Sequence, residues 1–231
     1  MSTMWLTEVC SPRINSGIAL SILLIAAGFA LGEQRDPINK SIAARSIDSG
    51  GGAQAGAIKG VLSSPFARRY AAAVYIVGAE GEQFDPPAVN PVMDQQNLMF
   101  TPHVLPVLVG STVDFPNTDE VRHNVYTTKS SVCQFNLGTY PAGDKKSVTC
   151  GNLGVVTLLC NVHAEMSGYI VVCPTPYFAT TDERGQFVIE GVPPGTYSLT
   201  FWHERLASQT VEVTVQPDAV AHVEFTGLHR K

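Results

Sequence analysis

The chain has 231 residues, 45% of them hydrophobic and only 15% charged, with 20 glycines and 15 prolines. The charged fraction lies well below the roughly 25% usual for soluble domains, which excludes a helical protein laced with ion pairs and a disordered charged tail. A net charge of −5 with no run of Lys or Arg in the sequence argues against a nucleic-acid binder, whose affinity rests on a basic patch. The length suffices for one or two domains, and few charges with many Gly and Pro point to a β-rich fold with tight turns.

The first element is an apolar run of 14 residues, Ile18 to Leu31, preceded by Arg13 and followed by polar sequence from Glu33. A helix crossing ~30 Å of hydrocarbon needs about 20 residues, so the run is short for a permanent anchor. It suits the apolar core of a secretory signal, with the small residues Ala30 and Gly32 before Glu33. Residues 1–32 are therefore expected to be a signal peptide, the competing reading being an uncleaved N-terminal anchor. Their removal takes away one acid, Glu8, and one base, Arg13, so the balance of −5 is unchanged. The mature chain is expected to be periplasmic or secreted, with no stable membrane span once the signal is gone. Residues 33–56 lack an apolar period, contain Gly50-Gly51-Gly52, and read as a flexible linker.

From Ala57 onward the apolar pattern is short and alternating or fully buried, never helical over a long window. Strands are expected at 57–62, 72–78, 97–101, 104–109, 112–116, 123–127, 147–150, 155–160 and 168–173, with turns at Gly110-Ser111, Gly143-Asp144 and Gly151-Asn152. A helical turn is expected only near 86–96. After Pro174 and Pro176 the texture changes to clean alternation: Phe187/Ile189, Tyr197/Leu199/Phe201, Val211/Val213/Val215 and Ala221/Val223/Phe225. Asp182-Glu183-Arg184-Gly185 and Pro193-Pro194-Gly195 supply the reversals. The expected organisation is a central β-sandwich over 57–173 and a small antiparallel β module over 174–227. About 50 residues is near the lower limit for an independent core. The module is thus expected to borrow strands from 57–78, which would make the central portion an insertion.

The stretch that carries chemistry is Cys160-Asn161-Val162-His163-Ala164-Glu165-Met166, between a strand ending at Cys160 and one starting near Tyr169. His123-Asn124-Val125 opens another strand 37 positions before Cys160, after the turn Asn117-Thr118-Asp119. Two His, one Cys and a weak axial Met form the ligand set of a mononuclear blue copper site. Soft thiolate and thioether hold Cu(I), and imidazoles suit Cu(II). Zinc competes for such residues, but its structural sites rarely use thioether. A binuclear copper site would need a second Cys in the loop, where position 164 is Ala, and no His-x-His pairs exist for a multicopper oxidase. The chain is expected to be an electron-transfer protein rather than an enzyme.

Segment 97–173 resembles a cupredoxin of the plastocyanin and amicyanin type, through NLMFTPHVLPVLVGSTVDFPNTDEVRHNV, CNVHAEM and GYIVV. The Cys-x2-His-x2-Met spacing is that of the short amicyanin-type loop. The resemblance implies a Greek-key β-sandwich with copper held by His123, Cys160, His163 and Met166. It also implies supporting hydrogen bonds from Asn124 and Asn161, and an electron port at the solvent edge of His163. The C-terminal stretch TTDERGQFVIEGVPPGTYSLTFWHE resembles the carboxypeptidase regulatory-like, transthyretin-like β-sandwich. Proteins joining the two modules often carry a methylamine-utilisation or plastocyanin-like label. The loop here departs from amicyanin: it lacks prolines and an aromatic between its ligands and carries Glu165 instead. That places methylamine dehydrogenase as partner in doubt. With Asp119 and Glu120, Glu165 is expected to form an acidic docking face suited to a basic partner. A c-type cytochrome or a periplasmic dehydrogenase or oxidase fits this role.

The remaining candidates have simpler readings. His103 is expected to be structural or exposed, His203 a packing or capping residue, His222 solvent-facing, and His229 part of the tail. With Cys10 lost in the signal and Cys160 on copper, Cys133, Cys150 and Cys173 allow three pairings and leave one thiol over. Cys133–Cys150 is the preferred pairing, three free thiols the alternative. The rival functions are copper trafficking or storage with the same ligands, and a structural or carbohydrate-binding module that keeps the fold as scaffold.

Overall fold

The computed structural model describes residues 54–78 and 82–231. The expected signal peptide and nearly all of the expected linker lie outside them. The described residues are all-β, with strands and no helix, so none of their elements could cross a membrane as a helix. The helical turn expected near 86–96 is absent: the end of that segment is a short strand instead.

The central body begins with a hairpin of β3 (Asp94–Gln96) and β4 (Met99–Thr101), which follows β1 (Gly56–Leu62) and β2 (Ala73–Val77) in the chain. The expected strand 97–101 is thus cut by a turn, whose residues Asn97 and Leu98 have φ of 54° and 60°. Next come β5 (Val104–Leu108), β6 (Thr112–Pro116), β7 (His123–Thr127), β8 (Asn136–Tyr140), β9 (Lys145–Thr149), β10 (Gly154–Leu159) and β11 (Ser167–Cys173). One sheet runs β5-β11-β10-β7-β8, and β6 pairs with β9. Isolated bridges Val92–Asp114 and Gln95–Asn117 lay the β3–β4 region along β6. Phe100, Val113, Phe115, Val125, Val156, Leu158, Ile170 and Val172 fill the core of this body. A disulfide joins Cys133 to Cys150, with Cα atoms 5.6 Å apart.

The second body is built from β12 (Phe178–Thr180), β13 (Gln186–Val192), β14 (Gly195–Trp202), β15 (Thr210–Val215) and β16 (Val220–Phe225), together with β1 and β2. Its sheets are β13-β1-β16 and β12-β2-β14-β15. All pairings are antiparallel except β1 with β16. Ile58, Leu62, Val74, Ile76, Phe187, Ile189, Leu199, Phe201 and Phe225 pack between them. The last residue of the expected linker, Gly56, is not linker: it already belongs to β1. A side chain there would meet Val215 Cγ1 at 2.6 Å and the Ala219 carbonyl at 2.7 Å.

Strand β11 explains its own sequence. Ile170 and Val172 point into the central core, whereas Val171 and Cys173, with Tyr169 beside them, pack on Ala73, Tyr75, Phe178 and Trp202. A strand covered on both faces reads as an unbroken apolar run, GYIVVC, rather than as alternation. The same strand therefore carries the end of the ligand loop and the contact between the two bodies. Gly168 is required near its start, because a Cβ there would lie 2.8 Å from Cβ of Phe100.

Candidate metal centre

His123 opens β7, Cys160 follows β10, and His163 sits on the turn between β10 and β11. Adjacent antiparallel strands β7 and β10 thus bring residues 37 apart in sequence to one end of the sheet. One ligand atom each from His123, Cys160 and His163 lie within 4.8 Å of one another, the first two residues buried and the third half-buried. The two imidazoles present Nδ1 to Nδ1 at 3.0 Å. A single proton between them, or one cation accepting both lone pairs, satisfies this arrangement.

Hydrogen bonds fix the set. His123 Nε2 lies 3.0 Å from Asp119 Oδ2, so with Nε2–H donating to the carboxylate the Nδ1 lone pair is free to ligate. The backbone N–H of Asn124 donates to Cys160 Sγ at 3.5 Å. The Asn124 side chain donates to Asn136 on β8 at 2.8 Å, tying the ligand strand to its neighbour. Met166 is buried in the same apolar cluster as Cys160, and its N–H donates to the His163 carbonyl at 3.1 Å, closing the loop. Asn161 is exposed, and no side-chain hydrogen bond joins it to the three converging residues. The donor set of two imidazoles, a thiol and a neighbouring thioether fits a copper ion.

Asp119 departs from the expectation placed on it. Its Oδ2 also accepts the N–H of Leu98 at 2.8 Å, and its Oδ1 accepts that of Glu120 at 2.9 Å. The Leu98 amide first, and the His123 ring second, hold its carboxyl below the usual carboxylate range. The Asp119 oxygens are thus engaged within the chain, while Glu120, Glu165 and Arg122 are exposed. The sequence signal for its actual role was available: an acid four residues before a His, in the Asn117-Thr118-Asp119 turn. What the sequence does not show is the β3–β4 hairpin folding back to give that acid its second donor. Leu98, Met99, Val121 and Val162 are the exposed apolar side chains on the segments that surround the site.

The other histidines stand apart. His203 is fully buried; its Nδ1 accepts the N–H groups of Arg205 and Leu206, and its Nε2–H donates to the Tyr70 carbonyl. Burial pushes its pKa below the ordinary histidine value. His103 lies edge-on to the Tyr169 ring, with centroids 5.3 Å apart, and 3.8 Å from Glu204 Oε1. His222 and His229 are exposed. Cys173 is a free thiol buried between the two bodies.

The carboxypeptidase regulatory-like domain family matches residues 163–227. The match reaches back over β11, which pairs with β10 and β5 but turns one face to the C-terminal body. Among solved structures, the chain is similar to a purple cupredoxin from Nitrosopumilus maritimus, at 22% identity over 36% of this chain and 99% of that one, with a TM-score of 0.33. An oxidized-state mutant of amicyanin is similar at 25% identity over 36% of this chain and 81% of that one, with a TM-score of 0.34. A copper-containing nitrite reductase from Thermus scotoductus SA-01 is similar at 21% identity over 49% of this chain and 28% of that one, with a TM-score of 0.35. No curated protein matches the sequence.

Proposed function

We propose that the chain is an exported copper protein that carries single electrons between redox partners and is not itself an enzyme. The observation that supports this most directly is the convergence of His123, Cys160 and His163 ligand atoms within 4.8 Å at one end of a sheet. Copper held by these three, with Met166 as a weak fourth ligand, supplies a one-electron couple. The chain's own residues do the rest. Asp119 and the Asn124 amide orient His123 and the Cys160 sulfur, so little rearrangement accompanies the loss or gain of an electron. His163, half-buried beside exposed Val162, is the point of entry and exit. The export reading rests on the apolar run 18–31. The partner is a redox protein of the periplasm or cell exterior, such as a c-type cytochrome, dehydrogenase or oxidase, met in small transient encounters.

Addition of copper to the purified chain is expected to give an intense blue colour and reversible one-electron voltammetry, both lost in Cys160→Ser. Colourless copper-loaded protein, or colour that survives Cys160→Ser, overturns the reading. Tight Cu(I) binding without redox cycling transfers it to copper trafficking.

A further inference from the structure

Three segments far apart in sequence, 66–70, 202–206 and 230–231, meet on the C-terminal body. The Leu206–Arg230 bridge, the Lys231 N–H to the Arg205 carbonyl at 3.1 Å, and His203 to the Tyr70 carbonyl at 3.2 Å hold them together. Their cations cover their rings. The guanidinium groups of Arg69 and Arg205 each lie 5.5 Å from the Tyr70 centroid, Arg230 lies 5.1 Å from that of Phe66, and the Lys231 ammonium 5.1 Å from that of Trp202. All four cations are exposed, and Arg68 adds a fifth. The one acidic side chain among them is Glu204, which is 9% exposed. It accepts the Tyr169 hydroxyl at 3.1 Å and lies 3.9 Å from Arg205. Among the described residues no acid is ion-paired to Arg69, Arg230 or Lys231. In a chain of net charge −5, this is a concentrated positive surface.

We infer that this patch is a docking surface for an acidic face of a protein partner. An exposed guanidinium offers a planar fork of N–H donors that matches the two oxygens of a carboxylate. Gathering like charges is unfavourable unless an opposite charge is to be met, and complementary potentials steer and orient encounters. A lipid surface fits less well: Phe66, Tyr70 and Trp202 are each capped by a cation, so no large apolar side chain of the patch stands free to enter the headgroup layer. The patch is linked to the candidate metal centre through β11. The Trp202 ring packs at a tilt of 53° on that of Tyr169, centroids 4.8 Å apart, and Tyr169 lies on the strand that begins directly after Met166. The inference rests on the electron-carrier reading only for the partner's being a redox protein.

The test uses the full chain and poly-L-glutamate as the acidic probe, with affinity read by calorimetry. Arg69→Glu combined with Arg205→Glu is expected to weaken binding roughly tenfold or more. Lys59→Glu combined with Lys129→Glu, the same charge change at exposed sites elsewhere, should weaken it by less than about twofold. Equal losses in the two pairs overturn the proposal, because overall charge alone would then attract the probe. Indifference to poly-L-glutamate, with patch-dependent binding to vesicles of phosphatidylglycerol and phosphatidylcholine, overturns it in favour of a lipid surface. If the first pair does not fold, Arg230→Glu with Lys231→Glu carries the same expectation. The colour of the copper-loaded samples is recorded in parallel: a patch that binds in colourless protein leaves recognition standing and removes the electron-carrier reading.

Discussion

Asp119 joins two local donors, the His123 ring and the Glu120 amide, to a distant one, the Leu98 amide of the β3–β4 turn. It both selects the His123 tautomer and helps to hold Leu98 at φ 60°, a conformation that a residue with a branched side chain adopts at a cost of order 1–3 kcal/mol. Asp119→Ala is expected to lower Cu(I) affinity roughly 10–100-fold in competition with a chromophoric chelator. Asp119→Asn, which still offers a carbonyl oxygen to the ring N–H, should recover most of it. Equal loss in both variants would assign the effect to charge rather than to positioning. At this scale the sequence is legible where chemistry is local. Cys160, His163 and Met166 stand within seven residues, and His123-Asn124 marks the facing strand. It is illegible where a role depends on a distant amide, which is why Asp119 reads as a free surface acid.

Pairs of strands carry the next layer of argument. Asp114 on β6 accepts Lys145 Nζ at 2.7 Å and Ser147 Oγ at 2.6 Å from β9, and Asn90 Nδ2 at 3.0 Å. The Lys145 bond first, then those of Ser147 and Asn90, bring its pKa down to about 2. A carboxyl depressed in the folded state stabilises fully above its unfolded value of about 3.9, and that contribution is lost as pH falls through about 2. Asp114→Asn should therefore destabilise the protein at neutral pH, with the difference from wild type shrinking through that acid window in denaturant titrations. A difference that stays constant with pH would show that shape, not charge, is what Asp114 contributes. Strand content was readable for β5, β6, β7, β10 and β11, whose apolar residues face a core. Strand β8 was not: Asn136 to Tyr140 is largely exposed, and Gly138 sits at φ 68°. The hairpin of β3 and β4 reads as one strand in the sequence because its turn uses Asn-Leu rather than a Gly-containing pair.

At the scale of the molecule, the two bodies share β11 as a common wall. Val171 is buried on the face turned to the C-terminal body. Val171→Ala is expected to cost about 1–3 kcal/mol, and both bodies should still unfold in one transition by circular dichroism and by Trp fluorescence. Two separated transitions would show that the shared wall does not couple them. The charge distribution also belongs to this scale. No run of bases is visible along the sequence, because the positive surface is assembled from three segments that only the fold brings together.

The order of synthesis gives the topology a further consequence. Ala72 bonds to Thr181 and Ile76 to Thr175 across 109 and 99 positions, so β2 acquires β12 only after the whole central body has been made. Strand β1 waits longer still, for β13 and β16. A nascent chain thus emerges with two apolar strands that lack neighbours, while the segment that follows can already collapse around its own core. Closing the ends of that segment replaces a costly long loop by a short span, the geometry in which Tyr75 finds Phe178. Maturation should accordingly run from the middle outward, and a slow step in the central body would delay the outer one, leaving β1 and β2 open to wrong partners in the meantime.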